Sequence, residues 1–286
     1  MDAASPASRT ALGAARHRAV HQVVENGSIL TDPLAVPILG EPESELRKTE
    51  ADWRMRFFVC ARQRYAEDVL ADAVPRGVDQ LVVLGAGLDT FGYRSPYAGL
   101  RVVELDHPAT QAWKRDRLAA ASIVTPDSVT HAPVDFERDD LTEVVRRHVD
   151  VDRPVLFWWL GVTPYLTVEA VTATLATLGS FDHSAVVLDH RAPDTELSPE
   201  ARAWRESREQ RVAAVGEPWI SQFAPEELAE LLGRCGFEHT HLEDEVALIR
   251  RLLGVTRPSD SSESRATHLA LATTGWPTGS GQAARS

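Results

Sequence analysis

Cysteine is nearly absent from this chain of 286 residues: the two present, Cys60 and Cys235, lie far apart and outside any CxxC or Cys/His cluster. That excludes a disulfide framework and a structural zinc site, and both thiols read as buried packing residues. Long apolar runs are missing too. No stretch approaches the ~18 consecutive apolar residues that a membrane span requires, and the first twenty residues lack the apolar core of a secretory leader. A cytoplasmic location is expected. Positive charge is in deficit, with 30 Lys and Arg against 42 Asp and Glu and a net charge of -12. Nucleic acid and anionic lipid would be repelled over most of such a surface. There is no HExxH, no carboxylate cluster and no Cys/His ligand spacing, so no metal site is expected. No protein partner is indicated either. What remains is a composition 43% hydrophobic, enough for a substantial core.

The two ends, 1–10 and 275–286, are rich in Ser, Ala, Gly and Pro and read as loose tails. Residues 11–77 carry helical patterns, "ALGAARHRAVHQVV", "TDPLAVPILG" and "ADWRMRFFVCARQRYAEDVLADAV", with no strand among them. From residue 78 the texture changes to short apolar runs. Strands are predicted at Gln80–Ala86, Arg101–Asp106, Val129–Val134, Pro154–Leu160, Ala185–Asp189, Phe237–Glu243 and His268–Thr273. Helical candidates separate the first five, which is the rhythm of a parallel α/β sheet. The last two strands lack a full crossover, so the seventh is expected antiparallel. The expected architecture is one domain, 1–286: a helical cap over 11–77, an α/β core over 78–274, and a cap insertion over 191–223 between strands five and six.

The first strand runs into "LGAGLDT". Gly85 and Gly87 allow the backbone to approach a ligand at the carboxyl end of the sheet, where open α/β folds bind. A nicotinamide-binding turn would place a third glycine where Thr90 stands, and a phosphate loop would end in Lys-Ser or Lys-Thr. Gly92, Pro96 and Gly99 also interrupt the helix expected to follow. The second strand ends on Asp106, an acid placed to accept hydrogen bonds from a ribose diol, with Glu104 on the same face. The third is followed by Asp135 and Phe136, a carboxylate beside an aromatic ring. Alone, an acid such as Asp106 at a strand's end is most often a solvated charge, and Asp135 reads equally as a helix cap.

As an ordered set, "ARHRAVHQ", "DPLA", "ARQRYAEDVL", "VLGAGLDT", "VVELDHP", "VDFE" and "WLGVTPYLT" resemble the class I S-adenosylmethionine-dependent methyltransferases, and within them the leucine carboxyl methyltransferase-like group. The resemblance implies a seven-stranded Rossmann-like sheet with an antiparallel seventh strand between the fifth and sixth. It implies S-adenosylmethionine as cofactor: Arg62 on its methionine carboxylate, Gly85 and Gly87 beside its methionyl portion, Asp106 on the ribose, and Asp135 with Phe136 at the adenine. One position departs from the pattern. Leu160 stands where the phosphatase-methylating members carry glutamate, which leaves the cofactor's ammonium to backbone carbonyls such as those of Gly85 or Leu160. It also points away from a phosphatase tail and toward a small-molecule acceptor.

The expected reaction is methyl transfer by in-line displacement to a small aromatic or carboxylate-bearing metabolite, with oxygen the favoured acceptor atom. Carbon or nitrogen methylation of an aromatic or indole-type metabolite stays open, as does a non-catalytic cofactor-binding protein. Tyr165 after strand four and His190 after strand five are the candidate helpers; His107 is expected on the opposite face from Asp106. Trp53, Phe57, Phe58, Trp158, Trp159, Trp204 and Trp219 could line a chamber for a flat acceptor, or belong to the core.

Overall fold

The computed structural model describes residues 8–48, 52–193, 197, 199–255 and 267–277. The first element is α1 (Arg9–Val24), capped by the Ser8 hydroxyl, which accepts from the Ala11 amide. Residues 9 and 10, assigned from composition to a loose tail, are therefore part of a helix that Ser8 caps. The rest of both predicted tails, apart from residues 275–277, lies outside the described residues. Two short helices follow, α2 (Ala35–Leu39) and α3 (Glu43–Arg47), then the long α4 (Trp53–Ala73), whose cap is the Asp52 carboxylate.

The sheet is built from β1 (Gln80–Leu84), β2 (Arg101–Asp106), β3 (Val129–Pro133), β4 (Val155–Trp159), β5 (Ser184–Arg191), β6 (His239–Asp244) and β7 (Thr267–Thr274). Its order is β3-β2-β1-β4-β5-β7-β6, with β7 antiparallel to both neighbours. The connecting helices are α5 (Phe91–Arg94), α6 (Pro108–Ala120), α7 (Leu141–His148), α8 (Val168–Gly179), α9 (Pro199–Ala214), α10 (Pro225–Arg234) and α11 (Glu245–Leu252). The interrupted helix after the glycine turn is the four-residue α5. β1 stops two residues earlier than its apolar run because Gly85 adopts a φ of +66°. β5 runs two residues further because β7 pairs with it as far as Arg191. Residues 256–266, between α11 and β7, lie outside the described residues.

Both faces of the central strands are buried, as a parallel sheet covered by helices requires. Successive residues therefore serve different cores. Val82, Leu84, Phe157 and Trp159 pack with α7, α8 and α10, whereas Leu81, Val83, Leu156 and Trp158 pack with α4 and α11. The two indoles are fully buried on opposite faces. At ~25 cal/mol per Å² and roughly 200 Å² each, each contributes about 5 kcal/mol of hydrophobic stabilisation. Burial also pushes the Cys60 thiol up to about 12, as expected of an inert packing residue.

The helical preface is fused to the glycine turn by a buried polar hub. Asp32, at 0% exposure, accepts from the Thr90 hydroxyl at 2.7 Å and pairs with Arg18 and Arg94. Arg18 also donates to the Leu88 carbonyl at 2.6 Å. The "DPLA" and "ARHRA" stretches thus hold the turn from beneath, and Thr90 is there to bond Asp32. Among the described residues no helix is long and apolar enough to cross a membrane.

Candidate active site

The carboxyl tips of β1 to β5 meet the first turn of α1, one side of α4 and the insertion helix α9 around a cavity of about 730 Å³. This is a normal size for a small-molecule site. Arg62, Gly85, Gly87, Asp106, Asp135, Phe136 and Tyr165 all line it. His190 does not.

At the β1–β2 end, Asp106 is fixed by two backbone donors: the Gly87 amide to Oδ2 at 2.5 Å and the His107 amide to Oδ1 at 2.7 Å. These use one lone pair on each oxygen and leave accepting capacity on both, on a residue that lines the cavity. Burial raises the carboxyl's pKa, and the two amides and Lys114 oppose that rise. Glu104, two residues earlier, is committed elsewhere: it is buried against Lys114 of α6 at 2.6 Å. His107, expected on the opposite face, lies on the cavity wall, where its Nδ1 accepts from the Ala109 amide and caps α6. Asp135 accepts from the Glu137 amide, and Phe136 packs half-buried on the α7–α8 side of the core.

Arg62 reaches the cavity from α4 and is held by a residue the sequence reading passed over. Asp189, at the end of β5, accepts from Arg62 Nη1 at 3.0 Å and from the Gly161 amide. Gly161 has φ +72°, and a Cβ there would lie 2.6 Å from Arg62 Nη2, so the guanidinium rests on a position only glycine leaves open. Gly85 is constrained in the same way, its Cβ position being 2.4 Å from Val162. Its close approach is thus to the chain itself as well as to the cavity. Leu160 leaves no carboxylate at its own position, but Asp189 places one beside it from the next strand. The available signal was the acid ending "VVLD", the same strand-end device as Asp106.

The two candidate helpers fare differently. The β5–β7 register turns His190 away from Asp189, against His268, with ring centroids 5.4 Å apart. Its Nδ1 donates to the Phe223 carbonyl, and burial with the neighbouring His268 pushes its pKa down to about 4. Period-2 alternation, which sends Asp189 and Arg191 to the cavity, is the reason His190 is not there. Tyr165 is on the wall, but its hydroxyl is engaged with the side chains of Trp219 and Thr10, and burial raises its pKa.

The far end of the cavity is basic and aromatic. Arg208 lies 5.3 Å from the Trp204 ring and 5.8 Å from that of Trp219, and Arg191 stacks on Trp219 at 4.1 Å. Trp204 and Arg208 both donate to Asp52 Oδ2, which pins α9 to the start of α4. Glu217 accepts from the Ser8 hydroxyl and from the amides of Arg9 and Thr10, tying the insertion to the first turn of α1. Of the predicted aromatic wall, Phe58, Trp158, Trp204 and Trp219 face the cavity; Trp159 is core and Trp53 is 59% exposed. His17 of α1 also lines this region, and no sequence signal separated it from an ordinary helix residue. Burial and Arg208 push its pKa down to about 4, with Arg56 and Arg62 in the same direction and Asp52 opposing.

A sheet of this order, with ligand-facing acids at the tips of its first strands, defines the class I methyltransferase fold. A crystal structure from Thermobifida fusca named a "putative methyltransferase" shares it, with a TM-score of 0.56 at 17% identity over 96% of each chain. So does a DUF574 family protein from Streptomyces avermitilis, with a TM-score of 0.53 at 17% identity over 90% of this chain and 96% of that one. The family model for leucine carboxyl methyltransferase matches residues 11–179. The "Putative S-adenosyl-L-methionine-dependent methyltransferase YktD" of Bacillus subtilis is 32% identical over 78% of this chain and 75% of its own length. A similarly named Mycobacterium tuberculosis protein is 30% identical over 72% of this chain and 66% of its own. The chain belongs to the leucine carboxyl methyltransferase family, and it is an S-adenosylmethionine-dependent methyltransferase.

Proposed function

We propose that this cavity binds S-adenosylmethionine across the tips of β1 to β3 and transfers its methyl group to an oxygen of a small aromatic or carboxylate-bearing metabolite held against α9. The reading rests chiefly on Asp106, whose two oxygens are oriented by backbone amides and keep accepting capacity toward the cavity, as a ribose diol requires. The donor set fits the rest of the cofactor. Arg62 offers a guanidinium to a carboxylate, and Asp135 with Phe136 offers an acceptor and a ring to an adenine.

The cofactor supplies an activated methyl group when bound; the chain's own task is to orient the acceptor and exclude water. Both the glycine turn beneath and the Glu217–α1 contact above favour enclosure. Phe58, Trp204 and Trp219 supply flat apolar surface, and Arg208 supplies charge suited to a carboxylate-bearing acceptor. Calorimetric titration with S-adenosylmethionine tests the site. Asp106→Ala and Arg62→Ala should each weaken binding at least ~10-fold, the equivalent of about 1.4 kcal/mol and the low end for a lost charge-assisted hydrogen bond. Unchanged affinity in both variants would overturn the assignment.

A further inference from the structure

The methyl acceptor must be either already anionic, as a carboxylate is, or protonated and in need of a group to receive its proton. The polar side chains around the far end of the cavity separate these cases. Asp189 is bonded to Arg62 and Gly161, Glu217 to the start of α1, Asp52 to Trp204 and Arg208, and the Tyr165 hydroxyl to Trp219 and Thr10. Of the two histidines on the cavity wall, His107 uses Nδ1 to cap α6, so its other nitrogen carries the hydrogen and can only donate. His17 differs. Its ring makes no hydrogen bond among the described residues and it lines the cavity, where burial together with Arg208, Arg56 and Arg62 lowers its pKa and Asp52 opposes. Such surroundings keep the imidazole neutral, with a lone pair for an incoming hydroxyl.

We propose that His17 receives the proton of the methyl acceptor, and that the acceptor group is a phenolic hydroxyl rather than a carboxylate. This rests on the reading of the cavity as the methyl-transfer site. In the step, the phenolic oxygen forms the new bond to the methyl carbon, and the carbon–sulfur bond breaks with its electron pair left on the thioether sulfur. The hydroxyl proton passes to the free imidazole nitrogen and then to water. The oxygen becomes a strong acid as it gains the methyl group, so a weakly basic imidazole suffices. The same weakness lets His17 shed the proton and reset. Trp204, Trp219 and Phe58 supply the flat surfaces that an aromatic alcohol needs.

The test uses the full chain labelled with ¹⁵N-histidine and saturated with S-adenosylhomocysteine, with His17→Asn assigning the His17 signals. Millimolar 4-methylphenol, which like a tyrosine side chain keeps its proton at neutral pH, should move those signals, and benzoate, which has no proton to give there, should not. Transfer of labelled methyl to 4-methylphenol should fall ~100-fold in His17→Asn, with S-adenosylmethionine affinity unchanged. His17 signals indifferent to 4-methylphenol would overturn the proposal, as would benzoate serving as the better acceptor, or full activity in His17→Asn. Failure of the wild-type chain to bind S-adenosylmethionine would instead refute the parent reading of the site.

Discussion

Replacing Asp189 with Asn isolates the contact that holds Arg62 in the cavity. The carboxylate accepts from Arg62 Nη1 at 3.0 Å and from the Gly161 amide, and its side chain is 3% exposed against 11% for Arg62. Asn keeps one acceptor and turns the other oxygen into a donor facing another donor, so one of the two bonds must be lost. Removing one partner of a buried ion pair typically costs ~3–5 kcal/mol. Because Arg62 faces the cavity and regains some water, the lower part of that range applies, about 3 kcal/mol. That is a large fraction of a normal folding stability of ~5–15 kcal/mol. Urea unfolding of Asp189→Asn should show the drop as a lower midpoint at unchanged slope. Arg62→Gln should be destabilised too, because it leaves Asp189 with an unpaired charge. The double variant should be less destabilised than the sum of the two, with a coupling of at least ~1 kcal/mol. In calorimetry, Asp189→Asn should also weaken S-adenosylmethionine about 10-fold as the guanidinium loses its fixed position. An unfolding midpoint and an affinity both equal to wild type would show that the pair does not position Arg62.

Two further outcomes follow from the same geometry. His190 has a pKa near 4 in the folded chain against ~6.5 unfolded, so the unfolded state binds the extra proton between those values. Stability should therefore fall as pH drops from about 6.5 to 4, by up to about 3 kcal/mol from this residue. His190→Gln should flatten that dependence in urea titrations at several pH values, and an unaltered slope would contradict the burial argument. Glu217→Ala removes the acceptor of three hydrogen bonds at the start of α1. It should cost about 1 kcal/mol in stability and speed cosubstrate release in stopped-flow measurements; an unchanged off-rate would show that this tie does not close the cavity.

Much of the site was legible because α/β sheets place their ligand-facing residues at strand ends. Gly85, Gly87, Asp106, Asp135 and Phe136 stood out at the ends of strand runs, the ordered set rather than any one of them pointed to a ligand, and all five line one cavity. Arg62 needed the family resemblance, since a helix arginine carries no local signature, whereas Tyr165 was placed by its position just beyond the fourth strand. His190 was misplaced for a simple reason. It follows a strand-end acid, but β5 continues through it, and alternation turns it to the other face. Asp189, one residue earlier, was the one to choose.

The sequence by itself determined the period of the strands, the antiparallel seventh strand and the acid-tipped edge, because these depend on local alternation and chain order. Only the tertiary structure decided which acids serve the cavity. Glu104 and Asp106 share a face of β2, yet Lys114 claims the first while backbone amides present the second. It also decided that His17, Arg208, Trp219 and Asp189 are neighbours. They come from α1, α9, the end of the insertion and β5, segments that meet only when the helical cap closes over the sheet.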